Sequence, residues 1–240
     1  MKKMKLFLLF FLVLTIAIGG SGCMSSFDIF EDESQNQAEM TEKLLYEKYG
    51  EEFVVESLGG RWGTATDGYY TCNCYPKSDE SLKFQATVDK DYDYIADEYA
   101  TKRAEINVAN YIYENCLKSI DDNAHAFVYS GNQTIDSNNS NLTIEEFLDN
   151  NSIYYYAYII VDKGSNVDDI LKNISHTPFY ESEVEMDLTI FLIDDDQKER
   201  FNEWNKTYKK LDDEFFSLFE NAEKKFYAIK NSEIKLENME

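Results

Sequence analysis

The tightest constraint on this chain's fold is a strict alternation at residues 82–89. Leu82, Phe84, Ala86 and Val88 take every second position, interleaved with Lys83, Gln85, Thr87 and Asp89. Successive strand side chains point to opposite faces, so this period predicts a strand with one apolar face. Such a strand needs neighbours and a covering layer. Upstream, Phe53 to Leu58 and residues 68–75 read as strands, the second stopped by Pro76. Residues 40–49 read as a short helix, with Thr41 as cap, Leu44, Leu45 and Tyr49 on the apolar side, and Gly50 at the end. Downstream, Ile95, Tyr99, Ile106, Ala109, Tyr113 and Cys116 recur at helical spacing. They predict a helix to about Leu117, with Lys102 snorkelling at the edge of the stripe. Residues 40–122 thus read as an α-β-β-β-α block.

Residues 123–240 read as a second α+β block. Strands are expected at 124–129, 152–161 and 183–193, and short helices at 143–148 and 167–174. Thr143 and Glu146 have capping-box spacing. Phe201, Trp204, Tyr208, Leu211, Phe215, Leu218, Ala222 and Ile229 then keep a three-four spacing. Asp195, Asp196 and Glu199 at the start, and Lys224, Lys225 and Lys230 near the end, suit a helix dipole. A continuous helix of about 35 residues spans roughly 50 Å. The expectation is a long C-terminal amphipathic helix, or one broken near Leu211-Asp212-Asp213. The fold class expected is α+β, with largely antiparallel sheets and packed helices.

Composition narrows the function. Hydrophobic residues make up 43% and aromatics 15% of the 240 residues, enough for a core. The formal net charge is −23, with no basic patch. Nucleic-acid binding is therefore not expected, because phosphate contacts need clustered cations. A basic protein or peptide is the partner such a surface attracts.

The N-terminus carries a location signal. Lys2, Lys3 and Lys5 precede an apolar core from Leu6 to Ile18, followed by Gly19-Gly20-Ser21-Gly22-Cys23. A core of about 13 residues is short for a membrane span, which needs about 20. The pattern resembles a bacterial lipoprotein signal: residues 1–22 are removed, and Cys23 is lipidated and palmitoylated. Gly20 departs from it, since a larger aliphatic residue is usual three before the cysteine. Lipid chains at Cys23 would hold the protein at the extracellular face of the cell membrane. Residues 23–39 are acidic and polar and read as a tether. Further resemblance is carried by Glu47-Lys48-Tyr49-Gly50-Glu51-Glu52-Phe53, Gly59-Gly60-Arg61-Trp62-Gly63, Tyr69-Tyr70-Thr71 and Pro76-Lys77. These segments resemble uncharacterised lipoproteins of low-GC Gram-positive bacteria, over about a third of the chain. The resemblance implies location and fold style, and no reaction.

Three cysteines follow Cys23: Cys72, Cys74 and Cys116. In a strand, Cys72 and Cys74 point to one face. They stand as inert core thiols, or one of them bridges to Cys116. A metal site is not expected, because His125 and His176 are far apart in sequence. Asp89-Lys90-Asp91-Tyr92-Asp93 begins like a calcium loop, but Tyr94 and Ala100 stand where that loop needs Gly and Glu. A turn is expected there. No catalytic motif is visible, no cofactor is implied, and neither histidine has a partner nearby in sequence. Tyr154, Tyr156 and Tyr158 share one strand face, opposite Tyr155 and Ile159, and form a candidate binding surface. The function expected is a membrane-anchored binding or accessory lipoprotein for a protein or peptide partner. The alternative is an envelope enzyme whose site is assembled from distant residues.

Overall fold

Helix α1 (Ser25–Tyr49) stops at Gly50, whose φ of +74° turns the chain while its N–H closes on the Tyr46 carbonyl. The computed structural model describes residues 25–59, 68–131, 135, 137–148, 154–182, 184–207 and 211–237. Cys23, the signal segment and Gly60–Gly63 lie outside them. The fold class is α+β. Strands β1 (Phe53–Leu58), β2 (Tyr69–Pro76), β3 (Phe84–Asp89) and β4 (Ile95–Asp97) form one sheet in that order. The chain divides into two compact units.

In the first unit, β1 and β2 pair antiparallel, with Val55 opposite Cys74 and Ser57 opposite Asn73. The extra residue Glu56 makes a bulge there. Helix α1 packs on β1, and its Glu42 accepts from the Val55 N–H at 3.0 Å. The helix is longer than residues 40–49, so the described part of the tether segment is helical. Thr41 accordingly lies inside the helix rather than capping it, and donates to the Gln37 carbonyl one turn back at 2.8 Å. Gly59 approaches Thr71 so closely that an added Cβ would lie 2.3 Å from its hydroxyl. The acidic run after β3 is a turn. The Asp89 carboxylate accepts from the backbone of Asp93 and Tyr94, and Tyr92 sits at φ +59°.

The second unit is built on a five-stranded sheet of β5 (His125–Tyr129), β6 (Tyr154–Asp162), β7 (Glu185–Ile193), β8 (Glu223–Lys230) and β9 (Glu233–Glu237), in that order. Within this sheet, as far as it is described, only β6 and β7 pair parallel, and the chain between them carries helices α4 (Val167–Ile174) and α5 (Pro178–Glu181). With α2 (Tyr99–Ile112) and α3 (Ile144–Leu148), these cover one face, where Tyr155, Ala157, Ile159, Met186, Leu188 and Ile190 are buried. The π-helical turn Tyr113–Leu117 extends α2 and buries Cys116 and Leu117. The capping box at α3 forms, with Thr143 and Glu146 each accepting from the other's backbone N–H.

Two further elements differ from the sequence expectation. On α2 the buried residues are Tyr99, Ala100, Thr101, Ala104, Glu105, Val108 and Ile112, while Ile106 is 41% exposed. Thr101 and Glu105 belong on the buried face because the Ile135 N–H and both Ser130 donors bond to them. The C-terminal run is not one long helix; it breaks at Leu211-Asp212, as one of the two expectations had it, but its last part is not helical. It gives α6 (Asp195–Thr207) and α7 (Asp213–Leu218), broken before Asp212, and then a β-hairpin. Asn231 and Ser232 both adopt positive φ, and Lys230 pairs with Glu233. That is a two-residue turn matched to strand twist. Tyr227 and Ile229, two apart, are buried as a strand requires.

Candidate functional site

Among the described residues, helices cover only part of the face of the second sheet away from α2–α5. Helices α6 and α7 lie over one end, where Ile160, Phe191, Ile193, Phe201, Trp204, Phe215 and Phe219 form a cluster. Asp194 and Gln197 cap α6 reciprocally, and the Asp212 carboxylate caps α7 by accepting from Glu214 and Phe215. Along β6, Ile160 sits in this cluster and Tyr158 packs at its margin, 5.3 Å from the Phe216 ring.

Beyond Tyr158 the strand passes out from under the helices. Register places Tyr156 between Tyr129 on β5 and Asp187 on β7, and Tyr154 beside Glu185. The Tyr154 and Tyr156 rings meet edge to face at 5.1 Å, and Tyr129 lies 6.4 Å from Tyr156. Tyr156 is 37% exposed. The Lys102 ammonium lies 5.2 Å over the Tyr129 ring and pairs with Glu105, so its stem crosses the edge of the face. Burial raises the Tyr154 phenol above its ordinary pKa, and its hydrogen bond with Asp187 adds to this. Burial raises Tyr158 as well. Further along the rows stand Ala228, Lys230, Glu233, Lys235 and Glu237, with Lys230 paired to Glu185. The result is an aromatic floor with a carboxylate-rich margin, suited to contact with a chain that brings apolar area and cations.

The other candidates fall elsewhere. Cys72 and Cys74 are buried in the first unit with their sulfurs 3.7 Å apart, and Cys116 is buried in the core of the second. None of the three is disulfide-bonded, and burial pushes Cys116 up to about 12. His125 packs against Phe201 at 4.8 Å; burial lowers its pKa, against the opposing charge of Asp121. His176 bonds the Lys172 carbonyl through Nδ1 on an exposed helix end. Asp121 is buried too, but it holds the loop by accepting from the Asp162 and Asn123 N–H groups. Among the described residues no group of three or more His, Cys, Asp or Glu is arranged to hold a metal ion. None of their helices is long and apolar enough to cross a membrane.

Sequence reasoning missed the buried cluster of Glu105, Ser130 and Tyr155. Glu105 accepts both the N–H and the hydroxyl of Ser130, and the buried Tyr155 hydroxyl has no hydrogen-bond partner among the described residues. The partners are 25 residues apart in the chain, so no local spacing announces them.

No protein-family profile and no curated protein matches the chain. A solved structure of a DUF5037 family protein from Ruminococcus gnavus aligns over 84% of this chain and 94% of its own, with TM-score 0.55 and 17% identity. The two share a fold. At that identity the likeness extends no further.

Proposed function

We propose that this protein is a membrane-anchored lipoprotein of the extracellular face, held by lipid on Cys23, that binds a basic segment of a protein or peptide partner. The binding surface is the uncovered part of the second sheet. The observation that carries this reading is the placement of Tyr129, Tyr154 and Tyr156 together beside Asp187, outside the cluster that α6 and α7 cover among the described residues. Tyrosines supply contact area with little conformational entropy to lose, and their faces accept Lys and Arg. The net charge of −23 favours approach of a cationic partner. The lipoprotein pattern at Gly22-Cys23, and the resemblance in residues 47–77, support the location.

Two measurements test it. Cys23→Ala should abolish palmitate labelling and release the protein from the membrane; unchanged labelling defeats the anchor. Peptides bearing spaced Lys, Arg and aromatic residues should bind the purified protein, with affinity falling as salt rises. Equal binding by wild type and Tyr156→Ala removes the proposed surface.

A further inference from the structure

Beyond any partner or location, the first unit carries a built pair of sulfurs. Cys72 and Cys74 stand two apart on β2, on the same face, each 1% exposed. The Cys74 thiol points at the Cys72 sulfur at 3.7 Å. Cys72 in turn points at the Thr41 hydroxyl of α1 at 3.9 Å, and that hydroxyl shares a 2.9 Å hydrogen bond with Tyr70. Cys74 thus donates to the Cys72 sulfur, while Thr41, whose own hydrogen goes to the Gln37 carbonyl, is the acceptor that the Cys72 thiol faces. The Cys74 hydrogen bond is the larger of the two and lowers the Cys72 pKa against burial. Cys116 has no such setting, and its thiol is raised by burial alone.

We propose that Cys72 and Cys74 form a reversible dithiol–disulfide pair, oxidised by small hydroperoxides such as hydrogen peroxide. The step balances. The Cys72 thiolate attacks one peroxide oxygen, the O–O bond breaks, and Cys72 sulfenic acid and hydroxide form; the hydroxide takes up the proton that the Cys72 thiol gave up, and leaves as water. The Cys74 sulfur then attacks the Cys72 sulfur, expelling the hydroxyl as a second water. Two thiols and one peroxide give one disulfide and two waters. Burial selects for a small oxidant, and the sulfur spacing leaves the second step only a short approach to make.

The geometry also makes the bridge labile. Cα atoms two apart in a strand are separated by about 6.8 Å, at the upper limit for a disulfide. Closure to a bond of about 2.05 Å therefore puckers β2 and draws the Cys72 sulfur from the Thr41 hydroxyl. The oxidation state of the pair is thereby tied to how α1 seats on the strand.

The test is peroxide treatment of the purified full chain, followed by alkylation in denaturant and peptide mass analysis. The expected result is loss of two alkylatable thiols and a residue 72–74 peptide lighter by two hydrogens, restored by dithiothreitol, with Cys116 alkylated throughout. In Cys74→Ser the reaction should stop at a Cys72 sulfenic acid that dimedone traps. The proposal is overturned if Cys72 and Cys74 stay reduced in the folded chain. It is equally overturned if either goes to sulfinic acid without bridging, or pairs with Cys116. The wild-type masses decide the matter even where the serine variant fails to fold.

Discussion

One strand, β6, runs through two different environments on a single face. Ile160 and Tyr158 lie under or against α6 and α7, while Tyr156 and Tyr154 lie beyond them. The residue types change with the cover. Under the helices the cluster is built mainly of Phe and Trp, packed ring on ring around Phe215. In the open they are Tyr, whose hydroxyls need water or a carboxylate such as Asp187. The same pleated surface thus serves as core or as contact surface, depending on where the capped helices end.

The largest effect should come from breaking the covered end. Phe215 is fully buried and touches the rings of Phe127, Tyr158, Phe191, Trp204, Phe216 and Phe219. Phe215→Ala should cost about 3–5 kcal/mol of stability, read from chemical denaturation. A cost below about 1 kcal/mol would mean this end is not a core, and the contrast with the open end would collapse.

At the open end the effect should appear in binding instead. Tyr156→Ala should leave the denaturation midpoint nearly unchanged and weaken a bound basic peptide roughly tenfold, the scale of a central aromatic contact. If stability falls as far as it does for Phe215→Ala, Tyr156 is a packing residue and the open face is not a contact surface.

The boundary between the two ends should yield to a smaller change. Asp212→Ala removes the acceptor of two N–H groups at the start of α7 and should cost about 1 kcal/mol. Tyr158 and Phe216 should become more accessible to quenchers or hydrogen exchange, while Tyr129 and Tyr156 should not.

How far the sequence carried this picture depended on the range of each interaction. The alternation of residues 82–89, the strand at 152–161 and the Thr143–Glu146 box are local signals, and each formed an element close to where it was read. The shared face of Cys72 and Cys74, and of Tyr154 and Tyr156, followed from the strand period. The C-terminal helix overran because Ala222 and Ile229, beyond the end of α7 at Leu218, keep helical spacing by coincidence. Tyr227 and Ile229 carry the strand period, and the Asn231-Ser232 turn that decides between the two lacks the glycine usual in such turns. Which helix covers which end of a sheet face is a long-range matter. So are Thr41 over Cys72 and Ser130 on Glu105, since those residues are 31 and 25 apart.

The smallest effect concerns protons on the two tyrosines that border the boundary. Burial raises the Tyr158 and Tyr154 phenols, and for Tyr154 the Asp187 carboxylate adds to it by accepting the phenolic hydrogen. A phenol whose pKa is raised on folding contributes stability that is whole below its unfolded value of 10.0 and is lost as pH climbs toward the folded value. Stability should therefore fall above about pH 10, the ordinary tyrosine range. Asp187→Asn should lower the titration of Tyr154 and shrink its share of that loss. Tyr158, held mainly by burial, should move less. Ultraviolet titration of tyrosinate in wild type, Asp187→Asn and Tyr154→Phe separates the two. An equal shift at both tyrosines would show that one environment spans the face, because only a carboxylate bonded at the open end can act on Tyr154 more than on Tyr158.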